Sequence, residues 1–183
     1  MPYRLLEKQV IYDGAKCRLE LHQLENEQTG KRHSREVVAH NGAVLVMGFL
    51  DDGRVLLIRN RRYAVGQTLI ELPAGTLEKG EEPIKCAARE LLEETGYQAS
   101  RVEPLLTFFT SPGILSERMH VFAAYDLENK GMALEEGEDI EVMPTKWNDA
   151  MSMALDGRIQ DGKTIAAVLW YDRVRGTNGS VGE

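Results

Sequence analysis

Apolar and polar residues alternate along the first part of the chain, which is the pattern of strands that bury one face. Leu19 and Leu21, for example, alternate with polar neighbours. Asp13-Gly14 is a strong hairpin turn signal, and residues 26–30 form a second turn signal. The pattern predicts a three-stranded antiparallel meander over residues 1–38. Such a unit is too small to be stable alone, so it should pack on its own main domain or on a partner subunit.

Residues 39–175 combine further apolar segments with helical spacings, which predicts one main domain. Strands are expected at residues 43–50, 54–59, 68–72, 102–110 and 119–127. Two C-terminal helices are expected around residues 147–155 and 165–172, with Thr164 as the N-cap of the second. This order predicts the α/β class, with a mixed sheet between helices. Residues 129–139 are predicted as an acidic loop. Residues 176–183 lack apolar content and are predicted as a frayed tail.

One more helix is predicted between Pro83 and Gly96. Proline suits the first helical position, where its missing N–H costs nothing, and glycine supplies the left-handed residue that ends a helix. Apolar residues recur at helical spacing and predict one buried stripe. Its members are Ile84, Ala87, Ala88, Leu91 and Leu92.

Glu90, Glu93 and Glu94 share a different face of this predicted helix. Like charges at this spacing destabilise a bare helix by about 0.2–0.5 kcal/mol per pair. A hard divalent cation would neutralise the cluster, and carboxylate oxygens are the ligands that Mg²⁺ or Mn²⁺ prefers. Helix spacing alone leaves a second interpretation open, which is a solvated acidic face.

The complete spacing of this segment resembles the Nudix box. The first glycine is followed after five residues by a glutamate, and after seven more by an Arg-Glu pair. The matching positions are Gly75, Glu81, Arg89, Glu90, Leu91, Glu93, Glu94, Gly96 and Tyr97. The resemblance implies an α/β/α sandwich. It also implies a hydrolase acting on a nucleoside diphosphate linked to another group, with the box as its metal-binding loop–helix–loop.

The same resemblance implies a role for each residue of the site. The implied metal ligands are the Ala74 carbonyl, Glu90, Glu93 and Glu94, with Glu93 as a direct or water-bridged partner that also belongs to the catalytic set. Arg89 is the second catalytic residue of the box and is implied to orient these carboxylates. Gly75 is implied to allow the tight turn that brings the Ala74 carbonyl to the metal.

Segments outside the box resemble ADP-ribose pyrophosphatases. They are residues 35–38, 59–64, 71–75 and 111–117. The resemblance implies substrate binding by Arg35, Glu36, Arg62, Pro112, Gly113 and Glu117. Taken alone, Pro112-Gly113 also has the composition of an ordinary turn, and Arg35 and Arg62 also suit surface salt bridges. The planar fork of arginine nevertheless suits phosphate oxygens.

Cleavage of a pyrophosphate requires neutralised oxygens and an activated water. The resemblance implies a general base in or beside the acidic loop, with Glu138 and Glu136 favoured over Glu141. Each of the three is also an ordinary loop carboxylate. The expected function is Mg²⁺-dependent hydrolysis of ADP-ribose and related nucleoside diphosphate sugars to a nucleoside monophosphate and a sugar phosphate, with Mn²⁺ as an alternative ion. Two alternatives stay open: a preference for another sugar nucleotide such as GDP-mannose, and a non-catalytic metabolite-binding module. The intact glutamates argue against the second.

The composition of the chain indicates which classes of partner and site are excluded. The chain has 183 residues and a net charge of −7, which argues against a nucleic-acid partner. No apolar segment approaches the roughly 20 residues that span a bilayer, so no membrane partner is expected. Cys17 and Cys86 lack paired spacing, which argues against a disulfide or zinc site. With no signal-peptide pattern at the N-terminus, the expectation is a cytoplasmic protein.

The resemblance to ADP-ribose pyrophosphatases also implies a homodimer. In these proteins the N-terminal strands pack across the subunit interface, and Arg35 would then reach the partner's nucleotide site. A monomer whose meander folds back on its own domain is the alternative that the pattern leaves open.

Overall fold

The computed structural model describes residues 2–14, 17–134 and 139–178, with side chains described as far as residue 175. Its elements follow in chain order: β1 (Tyr3–Asp13), β2 (Arg18–Asn26), β3 (Arg32–Ala39), β4 (Ala43–Gly48), β5 (Arg54–Arg62), β6 (Gln67–Glu71), β7 (Ala74–Thr76), α1 (Pro83–Thr95), β8 (Tyr97–Phe109), β9 (Arg118–Asn129), β10 (Ile140–Lys146), α2 (Trp147–Leu155) and α3 (Gly162–Asn178).

The predicted N-terminal meander is confirmed. β1, β2 and β3 form an antiparallel sheet of three strands in that order. The turn between β2 and β3 closes on the Asn26 side chain, which accepts hydrogen bonds from the backbone N–H groups of Gln28 and Thr29. Every residue of β1 is exposed. The meander meets the main domain where β3 ends, since the Val38 backbone is hydrogen-bonded to Ile114 and Ser116.

The main domain is a mixed sheet structure between helices, which confirms the predicted fold class. β4 lies parallel to β9 and antiparallel to β7, and β8 completes this four-stranded sheet. A second sheet has the order β10-β5-β6. All six residues of β4 are buried, because both faces of the strand are covered. Leu45 and Met47 pack in the core below α2 and α3, whereas Val44 and Val46 pack in the core below α1.

α1 begins and ends as predicted. Pro83 occupies its first turn, and Gly96 follows it in the left-handed conformation with φ of 76°, donating its N–H to the Leu92 carbonyl. The predicted apolar stripe is only partly right. Cys86, Ala87 and Leu91 are buried, but Ile84 is 42% exposed, because α1 turns its Cys86 side towards the sheet.

Several strand boundaries differ from the prediction. β10 was not predicted; its edge position in the β10-β5-β6 sheet accommodates Pro144, which a central strand would not. β5 continues as far as Arg62 because its last residues pair with β6. β8 begins directly after Gly96. Its pairing with β9 shifts register between Pro104 and Leu106.

The start and end of α3 also differ from the prediction. Thr164 is not the N-cap. Its backbone N–H and its hydroxyl both donate to Asp161, and its hydroxyl oxygen accepts from the Leu72 N–H. Asp161 therefore caps this helix. The helix runs from Gly162 to Asn178, so it is longer at both ends than the predicted residues 165–172. Residues 179–183 of the predicted frayed tail lie outside the described residues. Within the described ranges, no helix has the length and apolar content needed to cross a membrane.

The segment after β9 packs on the end of α1. Lys130 donates its backbone N–H to the Gly96 carbonyl at 2.7 Å, and Ala133 donates to the Glu93 carbonyl at 3.1 Å. A Cβ atom at Gly96 would lie 2.8 Å from the carbonyl carbon of Gly131. Gly96 is therefore required both by its backbone conformation and by this close approach.

Gly96→Ala should lower the free energy of unfolding more than Gly157→Ala does. Both glycines have positive φ, 76° and 84°, but a Cβ at Gly157 meets nothing within 4 Å. Gly157→Ala should therefore lower the free energy of unfolding by about 1–2 kcal/mol, which is the cost of placing an alanine in the left-handed conformation. Gly96→Ala should cost at least about 1 kcal/mol more, because backbone must shift. Urea unfolding of both variants measures this difference, and equal midpoints would contradict the packing of residues 130–133 on α1.

Candidate active site

The Arg89 guanidinium holds the acidic face of α1 together. Its Nε and Nη2 contact the two carboxylate oxygens of Glu81 at 3.0 and 3.1 Å. Its Nη1 contacts Glu90 at 2.8 Å and Glu93 at 2.9 Å. The hydrogen bonds from Arg89 outweigh burial and lower the pKa of Glu81 to about 2. One cation thus offsets much of the repulsion that the sequence predicted for this face.

Glu90 and Glu94 lie against the chain at residues 74–75. The Ala74 N–H donates to Oε2 of Glu94 at 2.8 Å, and Glu94 is only 3% exposed. A Cβ at Gly75 would lie 1.8 Å from the carboxylate carbon of Glu90, so only glycine admits this carboxylate. The structure therefore brings Ala74, Glu90 and Glu94 together, while Glu93 is held by Arg89.

The oxygen atoms of the side chains at this place suit a hard divalent cation as ligands. The carboxylates of Glu90 and Glu94 are oxygen ligands of the kind that Mg²⁺ takes, and Gly75 leaves the space that Glu90 needs. No three His, Cys, Asp or Glu side chains of residues 2–14, 17–134 and 139–175 already stand at the spacing of a complete metal site. Binding of a metal ion would thus require a local adjustment of side chains. The contact between Glu90 and Arg89 is where this adjustment would occur.

A cleft of about 700 Å³ opens beside these residues. Ala74 and Gly75 line it from the side of α1, and Arg62 lines it from the end of β5. Phe108 and Phe109 contribute apolar surface, so the cleft combines charged, backbone and aromatic groups. A volume of this size suits a ligand as large as a nucleotide sugar.

A buried ionic group forms one wall of the cleft. Glu71, at the end of β6, has a side chain only 1% exposed. It accepts two hydrogen bonds from Arg62, at 2.8 and 2.7 Å, and one from Lys163 at 2.6 Å. Lys163 also contacts Asp161 at 2.8 Å. Burial acts to raise the pKa of Glu71, but the hydrogen bonds and charges of Arg62 and Lys163 outweigh burial and lower it, so this carboxylate stays ionised.

The remaining predicted residues lie in different places. Arg62 and Glu117 line the cleft, and Glu117 accepts a hydrogen bond from the Thr110 hydroxyl at 2.6 Å. Four predicted substrate-binding residues do not line it: Arg35, Glu36, Pro112 and Gly113. The first two lie on β3, and the last two lie in the exposed turn before Glu117.

The structure describes one of the three candidate bases. Glu136 and Glu138 lie outside the described residues. Glu141 lies in β10 opposite Arg59, with its side chain 77% exposed and 3.6 Å from that guanidinium. It therefore belongs to a strand rather than to a loop.

Sequence reasoning missed two charged residues of the cleft wall, Asp161 and Lys163. Neither belongs to the box, and both stand far along the chain from Glu71. Lys163 contacts Glu71 in space, and Asp161 contacts Lys163. The one available signal was the polar segment Asp161-Gly162-Lys163-Thr164 at the start of a predicted helix, which is a capping pattern rather than a binding motif.

Comparison with known proteins identifies the family. The model of the NUDIX domain matches residues 39–168. The chain is 38% identical over 169 residues to the ADP-ribose pyrophosphatase of Bacillus subtilis, covering 91% of each chain. It is 40% identical over 156 residues to the GDP-mannose pyrophosphatase of Pectobacterium atrosepticum, covering 79% of each. A crystal structure of an ADP compounds hydrolase superposes with a TM-score of 0.85 and 22% identity, covering 99% of this chain and 98% of that one. The chain belongs to the NUDIX family.

Proposed function

We propose that this chain hydrolyses the pyrophosphate bond of ADP-ribose and related nucleoside diphosphate sugars, releasing a nucleoside monophosphate and a sugar phosphate. The observation that carries the proposal is the meeting of Ala74, Glu90 and Glu94 beside a cleft that Arg62 also lines. The curated relative from Bacillus subtilis, which bears the name ADP-ribose pyrophosphatase, supports the choice of substrate.

Nudix hydrolases generally need a divalent metal ion, and we propose Mg²⁺, with Mn²⁺ able to replace it. Glu90, Glu94 and the Ala74 carbonyl would hold the ion, with Glu93 as a direct or water-bridged partner. When bound, such an ion neutralises phosphate oxygens and lowers the pKa of a water. Arg89 holds these carboxylates in place, because it contacts Glu90 and Glu93 and is itself anchored on Glu81.

Two charged residues of the cleft are proposed to orient the substrate. Arg62 uses Nε and Nη2 on Glu71, which leaves the donors on Nη1 for phosphate oxygens. Glu117 is held by Thr110 and presents a carboxylate acceptor that suits ribose hydroxyls. Pro112 and Gly113 would act indirectly, by shaping the turn that delivers Glu117.

A preference for GDP-mannose is the second candidate, favoured by the relative from Pectobacterium atrosepticum. ADP-ribose, GDP-mannose and other sugar nucleotides, assayed at matched concentration with Mg²⁺, separate the two. ADP-ribose should have the highest kcat/KM. A higher value for GDP-mannose would support the second candidate, and turnover of none would contradict hydrolysis.

The general base is proposed to be Glu138 or Glu136. Glu141 is the weakest of the three candidates, because it lies in β10 beside Arg59. Residues 130–133, which precede both glutamates in the chain, are hydrogen-bonded to the end of α1 through Lys130 and Ala133. A base that follows this segment in the chain would act on water at the acidic face of that helix.

A homodimer through the meander is proposed as well. All of β1 is exposed, including the apolar side chains of Tyr3, Leu5, Leu6, Val10, Ile11 and Tyr12. An apolar surface of this kind marks an interaction site. Arg35 and Glu36 do not line the cleft of their own chain, so a partner's cleft is where they would contact nucleotide. The enzyme is proposed to act in the cytoplasm, where the free thiols of Cys17 and Cys86 stay reduced.

Glu94→Gln should reduce kcat/KM in Mg²⁺ by about 100-fold or more. Loss of a residue that hydrogen-bonds to a metal ligand typically costs about 10–100-fold in metal affinity or activity, and loss of a ligand itself should cost more. The fold should persist, since glutamine can still accept from Ala74 N–H. Steady-state kinetics and a thermal melt in EDTA measure the two effects. Glu82→Gln, on an exposed residue paired with Lys85, is the control. Near-normal turnover of Glu94→Gln would remove Glu94 from the metal site.

Glu138→Gln or Glu136→Gln should slow turnover while leaving divalent-metal affinity intact, because a base contributes about 10²–10⁴-fold without holding the metal. Glu141→Gln should reduce the rate least of the three. Mn²⁺ calorimetry and kcat at saturating substrate report the two properties separately. Full rate in all three variants would show that the loop base is wrong.

Ile11→Glu should convert the proposed dimer into a monomer, since it places a charge on the exposed apolar strand. Leu155→Glu is the matched control, because Leu155 is 72% exposed on α2, far from the meander in sequence. Light scattering should give twice the chain mass for the wild type and for Leu155→Glu. A monomeric wild type, or an Ile11→Glu dimer, would contradict an interface through β1.

A further inference from the structure

We propose that Lys163 is a further substrate-binding residue, which contacts the diphosphate, and that Glu71 is a positioning residue that fixes Lys163 and Arg62 side by side on the cleft wall. This inference rests on the proposed function for the identity of the ligand. It concerns residues outside the box, joined by a carboxylate that is 1% exposed.

The hydrogen-bond donors of Lys163 leave room for a ligand. An ammonium group has three donors. Two are accounted for by Oε2 of Glu71 at 2.6 Å and Oδ1 of Asp161 at 2.8 Å. The side chain is 15% exposed and lines the cleft. One donor therefore remains, on an ammonium group that is held at a fixed place at the cleft.

Glu71 fixes Arg62 in the same way. The guanidinium contacts both oxygens of the carboxylate, through Nε at 2.8 Å and Nη2 at 2.7 Å. This bidentate geometry sets the plane of the guanidinium as well as its position. The donors on Nη1 then stand in a fixed plane next to Lys163, in a side chain that is 39% exposed at the cleft.

The charges of this wall balance. Two anions, Glu71 and Asp161, face two cations, Arg62 and Lys163. The wall therefore attracts an anion through oriented donors rather than through net charge. Metal ions at Glu90 and Glu94 would supply the net positive charge, and the wall would set the direction of the phosphate oxygens. Ala74, which donates to Glu94, lines the same cleft, so both groups can meet one diphosphate.

The backbone that carries Lys163 is also fixed. Asp161 caps α3 by accepting from Thr164, and the Thr164 hydroxyl oxygen accepts from the Leu72 N–H at 2.9 Å. Leu72 directly follows Glu71. The start of α3 is thus fastened to the end of β6 at two places, by the hydrogen bond from the Leu72 N–H to the Thr164 hydroxyl and by the contact of Lys163 with Glu71. Because the hydrogen bond between Leu72 and Thr164 remains without the ammonium, removal of the lysine charge should leave α3 in place.

A purely structural role is the competing explanation, and it makes a different kinetic prediction. If the network only fastens α3 to the sheet, its loss lowers thermal stability and leaves the KM of the folded enzyme unchanged. If Lys163 contacts the diphosphate, its loss raises KM even in a fully folded enzyme. The split between KM and stability therefore decides between the two roles.

The test uses full-length Lys163→Met, which removes the ammonium and keeps the apolar stem. KM for ADP-ribose in Mg²⁺ should rise about 10-fold or more, as expected for a lost charge-assisted hydrogen bond, with a smaller change in kcat. Lys163→Arg should recover part of the affinity. Lys85→Met removes an exposed lysine that pairs with Glu82, and should keep the wild-type KM. Glu71→Gln should raise KM and also lower the melting temperature.

Calorimetry with inorganic pyrophosphate and Mg²⁺ separates this inference from the proposed function. If the wild type hydrolyses no sugar nucleotide, the proposed function fails, but weaker pyrophosphate binding by Lys163→Met than by Lys85→Met still supports the diphosphate subsite. Unchanged KM and unchanged pyrophosphate affinity in both Lys163→Met and Glu71→Gln would overturn the inference.

Discussion

The candidate site depends on one guanidinium that holds three carboxylates. Arg89 contacts Glu81 with two nitrogens and reaches Glu90 and Glu93 with a third. Single exposed ion pairs contribute little to stability, about 0–1 kcal/mol. This network differs, because its arginine is 28% exposed and contacts one partner through two nitrogens. Its main consequence is local: it keeps acidic side chains close together that would otherwise repel one another.

The layered fold supplies the second half of the site. The strand β4 is buried on both faces, and it places β7 beside α1. The chain at Ala74 and Gly75 therefore comes within hydrogen-bond distance of Glu94 and against the Glu90 carboxylate. The opposite wall comes from β5, β6 and the start of α3, joined through Glu71. A cleft between two such fixed walls can orient a charged substrate without a large rearrangement.

The local features of α1 could be predicted because they are encoded by nearby residues. Pro83, Gly96 and the glutamate spacing each have a local physical meaning, and the structure confirms the helix that they predict. The meander was predictable from alternation and turn residues for the same reason. β10 was missed because Pro144 argues against a strand, and only its position at a sheet edge removes that objection. Lys163 was missed because its partner Glu71 is remote in sequence, and Thr164 was misassigned because Asp161 caps the helix.

The central claim is that the acidic face of α1 and the chain at Ala74 and Gly75 hold a divalent cation at the cleft. A crystal grown with Mn²⁺ and a slowly hydrolysed ADP-ribose analogue, measured at the manganese absorption edge, tests it most directly. We expect an anomalous peak at about 2.0–2.5 Å from oxygens of Glu90, Glu94 and Ala74, with the diphosphate beside it. A peak at another place would contradict this account. So would the absence of any peak in a crystal in which Glu90 still contacts Arg89.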